Sequence, residues 1–294
     1  MIRFVNAKIN LGLNIIRKRP DGYHDIETAF YPVGLFNRSP ENPEPFGDIL
    51  EIHLSRHNGE DEFVFAGNPI DCVPEKNLVC KAVAAFRSEI AKRGKILPGV
   101  NIILDKHLPE GAGLGGGSAD ASFCLSLLNE LAGYPMDKET LIRTAASLGA
   151  DCPFFIENSP VFAEGTGDRM QPIPLNLNGY WSVIVKPEIF ISTKIAFAGV
   201  TPSEPKAKIT EILEQPPVQW ESLGLKNDFE DSIFPQFPEL ADIKKKQYER
   251  GALYAAMSGS GSSIFGIYSD RKEAEAVYKD FAVCNKLKSF ICKL

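Results

Sequence analysis

A mixed helix-and-strand protein, in two domains or in one large domain with a substantial subdomain, is what this sequence predicts. Three observations carry the prediction. The chain has 294 residues, which is long for a single hydrophobic core. Its 44% apolar and 24% charged content is that of an ordinary soluble globular protein, which excludes a disordered tail, a fibre or a low-complexity array. Segments with period-two and period-3.6 apolar patterns then alternate along it, with no internal repeat.

The first segment is a strand. Ile9, Leu11, Leu13 and Ile15 fall on one face, and Lys8, Asn10, Gly12 and Asn14 on the other, so Lys8 and Asn10 point the same way. RPDGYHD (19–25) is turn chemistry, with Tyr23 and His24 directly behind Pro20, Asp21 and Gly22. NRSPENPEPFGD (37–48) reads as an exposed loop with three prolines, and ILEIHLS after it as a strand. NLVCKAVAAFRSEIAKRG (77–94) has helical apolar spacing and closes on Gly94. VNIILDKHL (100–108) is a strand that runs into the glycine-rich loop PEGAGLGGGSAD (109–120). A helix follows, with Phe123, Cys124, Leu127, Leu128 and Leu131 in one stripe and Gly133 at its end. KETLIRTAASLGA is a second helix that stops near Gly149 and delivers Asp151 just beyond. From about residue 160 strands are expected to predominate, in PVFAEGTGDRM and YWSVIVKP. TPSEPKAKITEILEQPPVQW (201–220) reads as a mobile connection holding a short helix. ALYAAMSGSGSSIFGIYSD places a Gly/Ser turn before an apolar strand, and RKEAEAVYKDF is a closing helix.

Composition narrows function. Lys+Arg 32 against Asp+Glu 38 gives a net charge of −6, which counts against a binder of nucleic-acid backbone. Arg3, Asn6, Lys8, Asn10 and Asn14 interrupt the apolar N-terminus, so it is not a signal peptide, and no later run approaches a membrane span. The six cysteines, at 72, 80, 124, 152, 284 and 292, include no CxxC pair and no dense framework. Reduced thiols, mostly buried, in a soluble cytoplasmic protein that engages neither membrane nor nucleic acid are the expectation.

The loop at 109–120 is where chemistry is most legible. Gly111, Gly113, Gly115, Gly116 and Gly117 let successive N–H groups turn inward, and the following helix presents its positive end, a combination that suits a phosphate. Three phosphate motifs compete. A P-loop needs Gly-Lys-Ser/Thr, but Ser118 follows Gly117. Residues 111–116 match GxGxxG by letter, yet where a Rossmann unit wants an acid ending a strand, Asp137 and Glu139 open a helix. A protein-kinase loop should bring HRD and DFG, and neither occurs. Taken alone, Tyr23 and Phe30 suit either a core or a stacking role, and SGSGSS (258–263) either a second phosphate-facing nest or a tight turn.

NAKINLGLNI (6–15), LPEGAGLGGGSADAS (108–122), LGADCPFF (148–155) and MSGSGSSIFGI (257–267), in this order, resemble the GHMP kinase superfamily. RPDGYHDIETAF (19–30) is similar to the cytidine-recognition segment of one branch and unlike the mevalonate, homoserine and galactose kinases. The resemblance spans essentially the whole chain. It implies an α+β fold of two domains, a ribosomal S5 domain 2-like N-terminal domain over 1–165 and a ferredoxin-like C-terminal domain over 166–294, with substrates in the cleft between them. The first would hold ATP and most catalytic residues, and the second would complete the substrate site. The implied activity is transfer of phosphate from ATP to a cytidine-diphosphate-linked polyol, with Mg²⁺ alongside and no protein ligand assigned to it. Both monomer and homodimer remain open.

Position by position, Lys8 matches the catalytic lysine and Asp151 the catalytic aspartate. Pro109, Glu110, Gly111, Ala112, Gly113, Leu114, Gly115, Gly116, Gly117, Ser118 and Ala119 match the ATP-phosphate loop, with Lys106 beside the nucleotide. Asn10, Tyr23, His24 and Phe30 match positions around the cytidine and polyol, and Phe190 is a second candidate for stacking on the base. One departure stands out: Ala119 occupies a place that is usually serine. A nucleotide-binding relative without chemistry would need neither Lys8 nor Asp151, and another GHMP small-molecule kinase would lack the 19–30 segment.

Overall fold

The computed structural model describes residues 1–34, 46–55, 59–70 and 72–294, so most of the 37–48 loop lies outside the described residues. The chain divides into two compact units, Met1–Ala7 with Glu44–Glu110 and Gly115–Ser159, and Lys8–Pro43 with Gly111–Leu114 and Pro160–Leu294.

In the first unit, β1 (Ile2–Val5), β4 (Asp48–Leu54), β6 (Val100–Lys106) and β5 (Glu62–Gly67) form a sheet in that order. The pairs are antiparallel except β5 with β6. Alternation decides the faces: Leu50, Ile52, Ile102 and Leu104 are buried, while Ile2, Phe4, Val64 and Ile103 lie outward. The buried face is covered by helices. α1 (Leu78–Ala91) buries Val79, Ala82, Val83, Phe86 and Ile90, a stripe at helical spacing. Asn77 caps it by accepting from the Val79 amide at 2.8 Å, and Gly94, at φ +67°, releases the chain. α2 (Gly116–Leu131) lies against α1, β1 and β4, and α3 (Lys138–Ala146) and α4 (Cys152–Glu157) close the layer.

The second unit holds two four-stranded sheets. One has the order β2 (Ala7–Lys18), β3 (His24–Val33), β7 (Val161–Gly165), β8 (Arg169–Pro172). The other has the order β10 (Tyr254–Met257), β11 (Ile264–Tyr268), β9 (Trp181–Pro187), β12 (Leu287–Lys293), antiparallel throughout. Nine consecutive residues of β2 are buried, so both of its faces are covered and its polar side chains lie inside.

Helices are more frequent beyond residue 160 than strand-rich segments alone suggested. α5 (Thr193–Ala198), α6 (Ile209–Leu213), α7 (Pro217–Trp220), α8 (Glu230–Ile233) and α9 (Pro238–Glu249) follow one another after Pro187 and before Tyr254, and α10 (Arg271–Ala282) comes between Tyr268 and Leu287. The connection at 201–220 is docked through Ile209, Ile212, Leu213 and Trp220, all buried. Trp220 Nε1 donates to the Gln215 carbonyl at 2.7 Å, and its ring meets Tyr254 edge-on at 5.5 Å. Prolines disguise this anchor in the sequence. Sheets that are antiparallel apart from the β5–β6 pair, flanked by helices, make the protein α+β. Among the described residues no helix is long and apolar enough to cross a membrane, and all six cysteines are free, with Cys72 and Cys284 exposed.

Candidate functional site

In the first unit, β6 runs towards the glycine loop and α2 leaves it. Gly111, Gly113 and Gly115 take φ of 58°, 74° and 73°, where a side chain would be strained. Gly115 is the N-cap of α2 and brings no side chain to cap the helix's positive end. Ala119 is fully buried, so the loop's hydroxyl at this place falls to Ser118, which is half-buried.

Lys106 ends β6 and is 3% exposed. Its ammonium donates to Asp48 Oδ2 and, at 2.7 Å, to Asp120 Oδ2. Burial works against its charge, but Asp120 and then Asp48 outweigh that and hold its pKa above the ordinary lysine value. The Asp120 pKa is raised too, well above the usual carboxylate range, chiefly by burial.

Asp151 occupies the N-cap position of α4, yet its side chain does not cap the helix. Behind it, Cys152 donates its amide to Gly149 O at 3.1 Å. Ser122 Oγ lies 2.7 Å from Cys152 O and 2.9 Å from Ser118 O, tying the first turns of α2 and α4 together. Burial pushes the Cys152 thiol up, which favours its protonated form.

The second unit holds the opening strand from Lys8 onward. Lys8 is 3% exposed and donates to Asn10 Oδ1 at 2.6 Å, with its ammonium 4.9 Å from the Phe30 ring centroid. Asn10 Nδ2 donates to Thr28 Oγ1 at 2.9 Å, and the Thr28 hydroxyl donates to Gly12 O at 2.6 Å. The Lys8 amide donates to Leu114 O at 2.9 Å, and Ser258 Oγ donates to Gly113 O at 2.9 Å. A Cβ on Gly113 would sit 1.9 Å from Ser258 O, which explains the glycine. The 258–263 turn thus backs the tip of the glycine loop with buried serines. Asn227 holds that turn by donating to Met257 O and Gly259 O, each at 2.8 Å.

Tyr23 is 66% exposed at the end of a turn closed by Arg19 N donating to Tyr23 O at 2.8 Å. His24 stacks on Phe197 with ring centroids 4.6 Å apart, and Phe197 meets Phe229 edge-on. Burial, then the Lys18 charge, lowers the His24 pKa below 6.5. Phe30 is a core ring. Phe190 is 73% exposed, and its ring lies where a Gly111 side chain would be, 2.7 Å from that Cβ position.

Lys8, Asn10 and Phe30 therefore come together, as do Gly111 and Phe190, whereas Lys106 joins two acids. Asp48, Thr28, Phe197 and Asn227 were not singled out by the sequence. The signal for Asp48 was indirect: a lysine ending a buried strand needs an anionic partner.

The pattern of the GHMP kinases N terminal domain matches residues 77–158, and that of the GHMP kinases C terminal domain residues 218–285. A 4-diphosphocytidyl-2-C-methyl-D-erythritol kinase from Bacteroides fragilis is 48% identical over 286 residues, covering 97% of this chain and 98% of the relative. A solved 4-(cytidine 5'-diphospho)-2C-methyl-D-erythritol kinase is 29% identical with TM-score 0.79, covering 100% of both chains. The homoserine kinase of Cytophaga hutchinsonii shares the fold, at 20% identity and TM-score 0.66 over 99% of this chain and 95% of the other.

Proposed function

The chain belongs to the GHMP kinases, in the group named 4-diphosphocytidyl-2-C-methyl-D-erythritol kinase, and from that membership we propose its reaction and the residues that perform it. ATP phosphorylates the 2-hydroxyl of 4-diphosphocytidyl-2-C-methyl-D-erythritol, a step of the non-mevalonate route to isoprenoid precursors in the cytoplasm. Residues 1–165 hold ATP and most catalytic groups, and 166–294 complete the acceptor site.

Phosphoryl transfer asks the protein for positioning and charge stabilisation. The backbone of 109–119 and the uncapped end of α2 receive the ATP phosphates. Asp151 takes the proton of the acceptor hydroxyl, and Lys8 stabilises the developing alkoxide. Tyr23, with Phe190, stacks on the cytosine, and His24 and Asn10 bond the acceptor. Mg²⁺ suits this arrangement as part of MgATP, because it keeps waters and binds phosphates rather than needing a protein cage. Among the described residues no group of three or more His, Cys, Asp or Glu could hold a metal, so no ligand is assigned.

The observation that carries the reading is the burial of Lys8 at 3% exposure. Taking an ammonium out of water is costly, and a lysine that only solubilised a strand would avoid it. Incubation with MgATP and the cytidylyl substrate tests the reaction. ADP release that depends on that substrate, with the phosphorylated product, is expected. No substrate-dependent ADP would leave a nucleotide binder. Turnover of a different small alcohol instead would make it another GHMP kinase.

A further inference from the structure

We propose that Asp48, Lys106 and Asp120 form a buried clamp that holds both stems of the glycine loop in the shape that accepts nucleotide phosphates, with Asp48 as its positioning residue. The inference rests on the loop being the nucleotide site, and it deepens that reading.

Asp48 opens β4 and is completely buried. Its Oδ1 accepts from the amides of His107 and Leu108 at 2.6 and 2.7 Å, the two residues leading into Pro109. Its Oδ2 accepts from Lys106, whose ammonium reaches Asp120 in the first turns of α2. One side chain of β4 therefore binds the leading stem directly and the trailing stem through a single ammonium. Gly116 makes the approach close: a Cβ there would stand 3.3 Å from Leu108 Cβ and 3.5 Å from Lys106 Nζ.

Stability alone does not account for the group. A buried ion cluster is seldom better than apolar packing, and this one sets two carboxylates against one ammonium. Asp120 Oδ1 is buried without a hydrogen-bond partner, a cost that plain core packing would remove. Function supplies the missing reason. An unpaired carboxylate near the start of α2 would repel a phosphate at the helix N-terminus, and Lys106 weakens that field. Burial, which raises the Asp120 pKa, acts in the same direction.

Asp48→Asn keeps the shape but removes the charge that fixes Lys106. Calorimetry with MgADP should show affinity weakened about tenfold, and KM for ATP should rise in step. Turnover at saturating ATP and KM for the acceptor should stay within about threefold, a split that general loss of structure would not produce. Unchanged MgADP affinity in the folded variant overturns the clamp. Hydrogen exchange of the unmodified protein provides an independent reading if the variant does not fold. The His107 and Leu108 amides should exchange as slowly as those of β6, and fast exchange overturns the clamp equally. Failure of the unmodified protein to bind MgADP would remove the nucleotide reading itself. Normal binding with an indifferent Asp48→Asn would remove only the clamp.

Discussion

Lys8 Nζ donates to Asn10 Oδ1 at 2.6 Å, between two side chains on the same face of β2. The amide of Asn10 is held in turn by Thr28, so the ammonium is aimed by a fixed acceptor rather than by its own flexible stem. Asn10→Ala removes that acceptor. A hydrogen bond to a charged group is worth about 1.5–3 kcal/mol, so kcat/KM for the acceptor should fall roughly 10- to 100-fold. Steady-state kinetics check this, with KM for ATP expected to stay near its original value.

Tyr23 is exposed and its turn closes through backbone, so Tyr23→Ala should fold normally. Stacking on a base is worth roughly 1–3 kcal/mol, which corresponds to about one to two decades of acceptor affinity. Calorimetry with the cytidylyl substrate should show that loss with MgADP binding unchanged. Equal acceptor binding would remove Tyr23 from the site.

Gly113 has φ +74° and no space for a side chain against Ser258 O. Left-handed backbone costs a non-glycine residue about 1–2 kcal/mol before any clash is counted. Gly113→Ala should therefore displace the loop tip and raise KM for ATP at least roughly tenfold. The melting temperature should fall as well, and an unaltered KM for ATP would show that the tip plays no part in nucleotide binding.

Asp61 lies between two tendencies. Burial raises its pKa, but hydrogen bonds and charge from Arg87, with the Val100 amide, prevail and hold it below 3.8. Because the folded value is depressed, its stabilising effect is complete above 3.8 and is lost as pH falls through the lower folded value. Asp61→Asn should cost about 1 kcal/mol at neutral pH. The gap between the two thermal melts should close as pH drops below 3.8. A gap independent of pH would mean that the charge contributes nothing.

Local pattern made much of this fold legible. The alternation around Lys8 and Asn10 placed them on one face, and helical spacing that closes on Gly94 marked α1. Five glycines between a strand and a helix marked the loop. β5 carries no such signal, since its short run Glu62–Gly67 is only partly buried. α4 is six residues long and starts beside Pro153, too short for a helical stripe to register. Asp48 was illegible because its meaning lies in Lys106, 58 residues away, and only the fold brings them together. His24 and Phe197 are a second case, since neither residue's sequence neighbourhood announces the stack.

The turnover of Asp151→Asn, measured with MgATP and the cytidylyl acceptor both saturating, bears on the whole catalytic reading. Asparagine keeps the shape but cannot accept the proton, and general-base contributions run at roughly 10²–10⁴-fold. Turnover should fall by about that factor while both substrates still bind. Adding Lys8→Met should make little further difference, and additive losses would mean that the two residues act separately. Near-full turnover of Asp151→Asn would contradict the assignment and leave Asp151 as the residue that merely precedes α4.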